Sequence, residues 1–527
     1  MKKWNGVMED CEKFRKITYG DCLKEWSQKY GEKVAICCDE EQLTYNQLDR
    51  YTNNLMVYFS TLGLKKGDIV IFQIPNSLEW AVTFFALLRG GIIPVMVLPA
   101  HGKYEISGIC KLAEPKAYIC MNTLFHSRCE ETAKSVLREH PSIKHYISGE
   151  EIRNNMKTDK NESGYEKPSY KDIAMLLLSG GTTGVPKMIP RTHGDYIYDN
   201  IVIGERCELN EESVFLAVLP AAHNFTLGNP GVLGTLMYGG RVVLTDSVSP
   251  VEIFDLIEKE KVTYSAMVPT VLGLCVKYRQ EDIDADISSL KFVMTGGAML
   301  PEEIEISAET VLGCKLLQIY GTAEGLNTCF SPSHEIQPDS GKQGLPISPY
   351  DEILILDENG KPLPSGQIGE MVTKGPYTIQ GYFRNPEANK QSFTADGYYR
   401  TGDLAVLNSR GELTIKGRAV EQINKGGEKI MPIELENCLQ NNDYITECIV
   451  AGIPDQEMGN LVVAFIKKSV KELSLANIHN YLKEHGVARY KWPDRVVYVD
   501  HFPYTAVNKI DKKKLLKDLQ EGILSWE

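Results

Sequence analysis

The stretch "AMLLLSGGTTGVPKMIPRTHGD" runs from Ala174 to Asp195. Its apolar opening reads as a buried strand that empties into a loop rich in glycine and threonine. Glycines at a strand exit let backbone N–H groups turn toward an anion, and the hydroxyls of Thr182 and Thr183 add donors. Lys187 supplies a point charge. The loop is not a Walker A motif, because Pro186 precedes the lysine and Met188 follows it. Taken by itself, the loop also admits a second reading, a flexible turn.

Outward from this stretch, apolar β-branched runs alternate with helical patterns. "VAICC" (Val34–Cys38) and "DIVIFQI" (Asp68–Ile74) read as buried strands. Between them, Leu48, Tyr51, Leu55 and Phe59 form one helical face, ended by Gly63. "AYIC", "KHYI", "SVFLAVLP", "RVVLTD", "YSAMVP" and "KFVMTGG" continue the series. Such alternation predicts an α/β fold with mostly parallel sheets. From Gly344 to Gly417 the texture becomes short strands with Gly, Pro and Asp-Gly turns, as in "EILILDENGKPL" and "DGYYRTGD", which predicts an appended small β-barrel or sheet. After Arg418, helix and strand patterns alternate over a stretch long enough for a separate α+β domain. The expected organisation is an N-terminal part, residues 1–417, with its β-rich portion at about 344–417, followed by a C-terminal lid, 418–527.

Composition narrows the function. The chain has 527 residues, too many for one core. Its net charge of −13, with both signs mixed along the chain, argues against a nucleic-acid or anionic-membrane surface. Any polyanion must be held by a local site. The N-terminus has no signal-peptide h-region, and the apolar stretch from Trp80 is broken by Arg89, Gly90, Gly91 and Pro94. Thirteen cysteines without a C-x-x-C pair read as free thiols of a reducing cytosol, so the expected location is cytoplasmic, with no membrane partner.

Four further motifs follow in order: "QIYGTAEG" (Gln318–Gly325), "YRTGD" (Tyr399–Asp403), "GRAVEQINKGGEKIMPIELE" (Gly417–Glu436) and "VNKID" (Val507–Asp511). With the Gly-Thr loop they make the chain resemble the adenylate-forming superfamily of acyl-CoA synthetases, peptide-synthetase adenylation domains and luciferases. The resemblance spans "LTYNQLD" at Leu43 to Lys509. Within that superfamily, "SGGTTGVPKMIPRTHGDYIYDN", "HNFTLGNPGVLG" (His223–Gly234) and "KGPYTIQGYFRN" (Lys374–Asn385) are most similar to stand-alone aryl-acid AMP ligases, such as those for 2,3-dihydroxybenzoate.

The resemblance implies ATP-dependent, Mg²⁺-assisted activation of a small aromatic acid to its acyl-AMP. Transfer to a phosphopantetheine thiol of an aryl carrier protein follows, or to CoA in a related ligase. A non-catalytic nucleotide-binding protein on the same fold is the alternative from another class. The first half-reaction presses a carboxylate against a polyphosphate. Two unit charges about 4 Å apart repel by roughly 4 kcal/mol at an effective dielectric near 20, so cations must lie there. Lys509 matches the catalytic lysine, and Glu324 the acid that holds Mg²⁺. Thr182, Thr183, Lys187, Gly321 and Thr322 are the implied phosphate side. Tyr320, Gly296 and Gly297 are implied to flank adenine, and Asp403 and Arg418 to hold the ribose. Asn224, Phe225, Asn229 and Gly297 are implied to line the acyl pocket together with His223, a catalytic candidate between that pocket and the thiol tunnel, which Gly426 and Gly427 line. Individually, Tyr320 could be a core aromatic, Asp403 a turn acid, Glu324 a helix cap and His223 a core histidine. The sequence departs from its relatives at Asn229, where a small Ser or Cys is usual, at Val420 in the hinge, and at Asn508 before the lysine.

Overall fold

The computed structural model describes residues 11–526 apart from 122–128, 160–164, 180–185, 282–284, 299, 301, 334–342, 426–427, 456–457, 470–472, 486, 488 and 506–509. Two mainly parallel sheets form the larger N-terminal part. One has nine strands, in the order Leu345–Pro346, Leu326–Cys329, Lys315–Thr322, Phe292–Gly296, Tyr264–Met267, Val214–Ala217, Arg241–Leu244, Val34–Cys38 and Glu41–Thr44. The other has six: His145–Ser148, Ala117–Cys120, Ile69–Gln73, Ile93–Met96, Ile173–Leu178 and Met188–Thr192. The central strands are parallel, and antiparallel pairing is confined to the margins, including Ile173–Leu178 against Met188–Thr192. The α/β expectation is therefore met.

The sequence logic is plainest where the two sheets meet. Every residue of the strand Ile69–Gln73 is buried, which explains its unbroken apolar run. All twelve residues of the helix Leu78–Arg89 are buried too. Its start is fixed by Ser77, whose hydroxyl accepts from the Trp80 N–H at 3.1 Å. Trp80 and Phe84 stack at 5.2 Å between ring centroids, and the helix shares one core with Phe72, Ile36 and Phe215 from both sheets. Arg89 is accommodated because its guanidinium pairs with Asp49. This segment is the buried helix and strand that its broken apolar run implied. Among the described residues, no helix is long and apolar enough to cross a bilayer.

Element ends follow local chemistry. The helix expected between "VAICC" and "DIVIFQI" spans Tyr45–Thr61, with Thr44 and Gln47 forming a capping box, and Gly63 takes φ +79° just beyond it. The short strand Glu41–Thr44, unread in the sequence, folds back on Val34–Cys38. The β-rich stretch takes the form of an open four-stranded antiparallel sheet: Glu352–Leu356, Gly369–Lys374, Tyr399–Leu407 and Leu413–Arg418. Of the two forms expected there, a small barrel or a sheet, the sheet is the one observed. The C-terminal region is an α+β domain with its own sheet, Cys448–Asp455, Gly459–Lys467 and Arg495–Val499, and its own apolar clusters around Val462, Ala464 and Phe465.

"HNFTLGNPGVLG" folds as two short helices, Asn224–Gly228 and Gly231–Met237. Gly231 joins them at φ +47°, where an added Cβ would lie 1.9 Å from the Thr226 carbonyl oxygen. Neither the dihedral nor the space admits a side chain. Gly231→Ala is expected to destabilise the protein by more than about 2 kcal/mol, read as a lowered midpoint in thermal or urea unfolding. An unchanged midpoint would contradict this reading of the corner.

Candidate active site

The paired strands Ile173–Leu178 and Met188–Thr192 bring the ends of the Gly-Thr loop together. The Ser179 N–H donates to the Lys187 carbonyl at 3.0 Å, and the Lys187 N–H donates to the Ser179 hydroxyl, also at 3.0 Å. Gly180–Val185, with Thr182 and Thr183, lie outside the described residues, as do Lys509, Gly426 and Gly427. Lys187 is described. Its ammonium sits 4.6 Å from the centroid of the Tyr382 ring, a cation–π contact. The Tyr382 hydroxyl donates at 2.7 Å to Oε1 of Glu324. Two expected phosphate-side residues thus converge on one tyrosine, which the sequence reading did not single out although it lies within "KGPYTIQGYFRN".

Glu324 lies in the turn between the strands Lys315–Thr322 and Leu326–Cys329, so it caps no helix. It is 7% exposed, and the turn is closed by Gly325 N–H donating to the Thr322 carbonyl. The Thr322 hydroxyl beside it is buried with no partner among the described residues. An orphaned hydroxyl and a carboxylate with one committed oxygen form a hard, oxygen-only donor set, suited to a phosphate group and its magnesium ion.

The expected nucleotide residues gather from three elements. The Tyr320 hydroxyl donates to Asp403 Oδ2 at 2.6 Å, and Arg418 Nε pairs with Asp403 Oδ1 at 2.9 Å. Arg418 also donates to the Thr401 carbonyl at 2.9 Å. Asp403 is inside the strand Tyr399–Leu407, which removes the turn-acid reading. Burial, and then the neighbouring Asp403, push the Tyr320 hydroxyl well above its ordinary range, so it stays a donor. Gly296 pairs with Ile319 on the adjacent strand, where a Cβ would lie 2.5 Å from the Ile319 carbonyl oxygen. Gly296 thus pairs with the residue just before Tyr320, and Gly297 follows it with φ +79°.

Four of the five expected acyl-pocket residues belong to one short helix and its caps, and Gly297 follows the strand Phe292–Gly296 instead. His223 is its N-cap, accepting from the Phe225 N–H at 3.3 Å. Asn224 Oδ1 accepts from the Tyr196 hydroxyl at 2.7 Å, and Phe225 is 8% exposed. Asn229 ends the helix, buried, and accepts from Asn327.

Comparison with known proteins settles the family. The description "AMP-binding enzyme" matches residues 23–383, and "AMP-binding enzyme C-terminal domain" matches 434–509. The chain belongs to the AMP-binding enzyme family. It is 40% identical over 513 residues to the 2,3-dihydroxybenzoate-AMP ligase of Bacillus subtilis (strain 168), covering 96% of this chain and 95% of that one. It is 36% identical over 494 residues to enterobactin synthase component E of Escherichia coli (strain K12), covering 92% and 91%. The salicylyl-CoA synthase / salicylate adenylyltransferase of a Streptomyces species is 37% identical over 545 residues, covering 98% and 97%. Among solved structures, apo MbtA of Mycobacterium smegmatis superposes with a TM-score of 0.76 at 32% identity, covering 98% of each chain. The resemblance to an adenylate-forming enzyme read from the motifs is correct.

This AMP-binding enzyme holds buried polar groups that the sequence reading missed. Arg191, 1% exposed, pairs with Asp195 at 2.9 Å, donates to the Ala323 carbonyl at 3.0 Å and lies 3.8 Å from Asp199. The capping box Thr192–Asp195 was legible as Thr-x-x-Asp and would have placed a helix start there. Tyr377 donates to Asp351 at 2.7 Å and accepts from the Asn327 N–H at 3.1 Å. Burial pushes the Asp351 carboxyl up from 3.8 to about 7, and does the same to Asp199 against the opposing pull of Arg191. A carboxyl raised on folding holds a proton that the unfolded chain has released, so it lowers stability as pH rises from about 4 to about 7. Asp351→Asn keeps the acceptor for Tyr377 without the titration. The stability of this variant relative to the parent is expected to improve between about pH 5 and about pH 8, in thermal melts run at both. A difference independent of pH would rule out the raised carboxyl.

Proposed function

We propose that this enzyme converts a small aromatic acid with an ortho hydroxyl to its aryl-AMP, releasing pyrophosphate, and then passes the acyl group to a phosphopantetheine thiol on an aryl carrier protein. The observation that carries this reading is the buried carboxamide of Asn224, clamped by Tyr196 directly after His223. Its Oδ1 is taken by the tyrosine, so its N–H groups remain for an oxygen on the substrate. An acid that lacks that oxygen leaves the amide unpaired, which sites of this kind reject by orders of magnitude. The 40% identity to a 2,3-dihydroxybenzoate-AMP ligase points the same way.

In this reading ATP lies along Tyr320, Asp403 and Arg418, with Asp403 and Arg418 on the ribose and bare backbone at Gly296 and Gly297 beside the base. Thr182, Thr183, Lys187, Gly321 and Thr322 take the phosphates, and Glu324 holds Mg²⁺, whose charge offsets that of the polyphosphate. His223, Asn224, Phe225, Asn229 and Gly297 line the acid. The reaction is cytoplasmic. In ATP–pyrophosphate exchange, salicylate or another ortho-hydroxy acid is expected to exceed benzoate and medium-chain fatty acids by at least about 10²-fold in kcat/KM. Benzoate or a fatty acid outpacing every ortho-hydroxy acid would overturn the proposal.

The chain divides, on this proposal, into residues 1–417 and a lid of 418–527, hinged at Arg418–Val420. Lys509 on the lid serves adenylation in one orientation, and Gly426 and Gly427 line the thiol tunnel in another. Losing the lysine removes a charge that stabilises the transition state of the first step only. Lys509→Ala is expected to lower pyrophosphate exchange roughly 10²–10³-fold or more while still converting supplied aryl-AMP to thioester. A bulky residue at Gly426 or Gly427 should do the reverse. Equal loss of both steps in folded Lys509→Ala would refute the division. The similarity to a salicylyl-CoA synthase favours a second acceptor, CoA, and the same thioester assay with CoA in place of a carrier protein separates the two.

A further inference from the structure

Asn229 does not stand alone at the end of its helix. Its Oδ1 accepts from Asn327 Nδ2 at 3.0 Å, and the same nitrogen donates at 2.8 Å to Asp199 Oδ1. All three residues are buried: Asp199 at 0%, Asn327 at 1% and Asn229 at 3% exposed. Both hydrogens of the Asn327 amide are therefore committed. In this arrangement the NH₂ end of Asn327 faces Asp199 and Asn229 together, with Arg191 on the far side of Asp199. The Asn327 amide is also held sterically. A Cβ at Gly321 would lie 2.2 Å from its Oδ1, so it packs flat against that backbone. Arg191, 3.8 Å from Asp199 Oδ2, supplies the compensating charge behind it.

The consequence falls on Asn229. With its oxygen occupied, its Nδ2 is the polar end left over, and the described residues offer it no acceptor. The neighbouring backbone does not compete. The Gly228 carbonyl takes Asn200 Nδ2 at 2.8 Å, and Asn200 Oδ1 takes the Tyr19 hydroxyl at 2.7 Å. Asn224 repeats the arrangement one turn earlier, its oxygen held by Tyr196. The helix between His223 and Asn229 thus carries two carboxamides whose acceptor ends are both satisfied by the scaffold.

We infer that Asp199 and Asn327 are positioning residues that set substrate choice, fixing Asn229 as an amide donor so that the enzyme selects an ortho-hydroxy aromatic acid bearing a second hydrogen-bond acceptor, such as a carbonyl oxygen or ring nitrogen. This inference rests on the proposed aryl-acid activation. A donor-only group such as an aromatic amine meets an N–H there, and a methyl group leaves the amide unpaired.

The test is ATP–pyrophosphate exchange with salicylates that carry a formyl or an amino group at each free ring position in turn. In the parent enzyme the formyl acid is expected to exceed its amino counterpart by at least about tenfold in kcat/KM at one ring position. Asn229→Asp preserves the shape but replaces the N–H end by an oxygen, and should reverse that order. Asn327→Leu, which deletes both bonds, should bring the ratio close to one, and Asp199→Asn should reduce it. Loss of packing alone would lower both acids together and leave the ratio unchanged. A ratio that is the same in Asn229→Asp as in the parent overturns the inference. So does a parent enzyme that prefers the amino acid at every position. Should Asn327→Leu fail to give a cooperative melt, Asn229→Asp decides by itself. Failure of the function proposed above is distinguishable, because unsubstituted salicylate would then be inactive with the parent enzyme.

Discussion

The guanidinium of Arg191 is the contact on which the site's geometry depends. It belongs to the margin strand of the six-stranded sheet, yet it donates to the Ala323 carbonyl in a turn of the nine-stranded sheet. It also pairs with Asp195 and lies 4.5 Å from the centroid of the Tyr196 ring. A buried charge costs several kcal/mol unless it is fully paired. Burial works against this one, and Asp195 and Asp199 more than offset it, so the group stays charged. Only a planar fork of several donors reaches two sheets and a helix from one side chain, which lysine cannot do. The turn bearing Glu324 is thereby held in register with the strand that leaves the Gly-Thr loop.

From that contact a continuous polar layer runs between the sheets, through Asp199 and Asn327 to Tyr377 and Asp351. Apolar packing would be easier to satisfy at this depth, since each buried polar group must find a partner. The layer instead fixes where amide nitrogens and oxygens lie to within a hydrogen bond. This is the kind of definition that a substrate pocket needs and that side-chain packing alone supplies poorly.

Much of this was legible in the sequence. Strands such as Ile69–Gln73 and Ile173–Leu178 were visible because burial on both faces demands unbroken apolar runs. Tyr320, Asp403 and Arg418 were legible only jointly, since each is commonplace alone and the co-occurrence of motifs made them informative. Their mutual contacts are long-range, joining residues 83 apart in the case of Tyr320 and Asp403. Asp199, Asn327 and Asp351 left no such signal. A buried carboxylate looks like a surface one in a one-dimensional pattern, and "YIYDN" gives no hint that its aspartate is fully enclosed. The two short helices around Asn229 were missed because neither has a full turn of apolar periodicity to spare.

The arrangement at Asp403 bears on turnover. Its two carboxylate oxygens are engaged by Tyr320 and Arg418, partners supplied by the protein itself. On the function proposed above, a ribose hydroxyl that displaced one of these partners would exchange one hydrogen bond for another, and the net gain would be the small difference between them. A nucleoside held by exchange would be held modestly. For an enzyme that discards AMP after each cycle, that would keep departure of the spent nucleotide from becoming the slow step. Arg418 also ends the strand that leads toward the C-terminal domain, which places this exchange of partners where the chain changes direction.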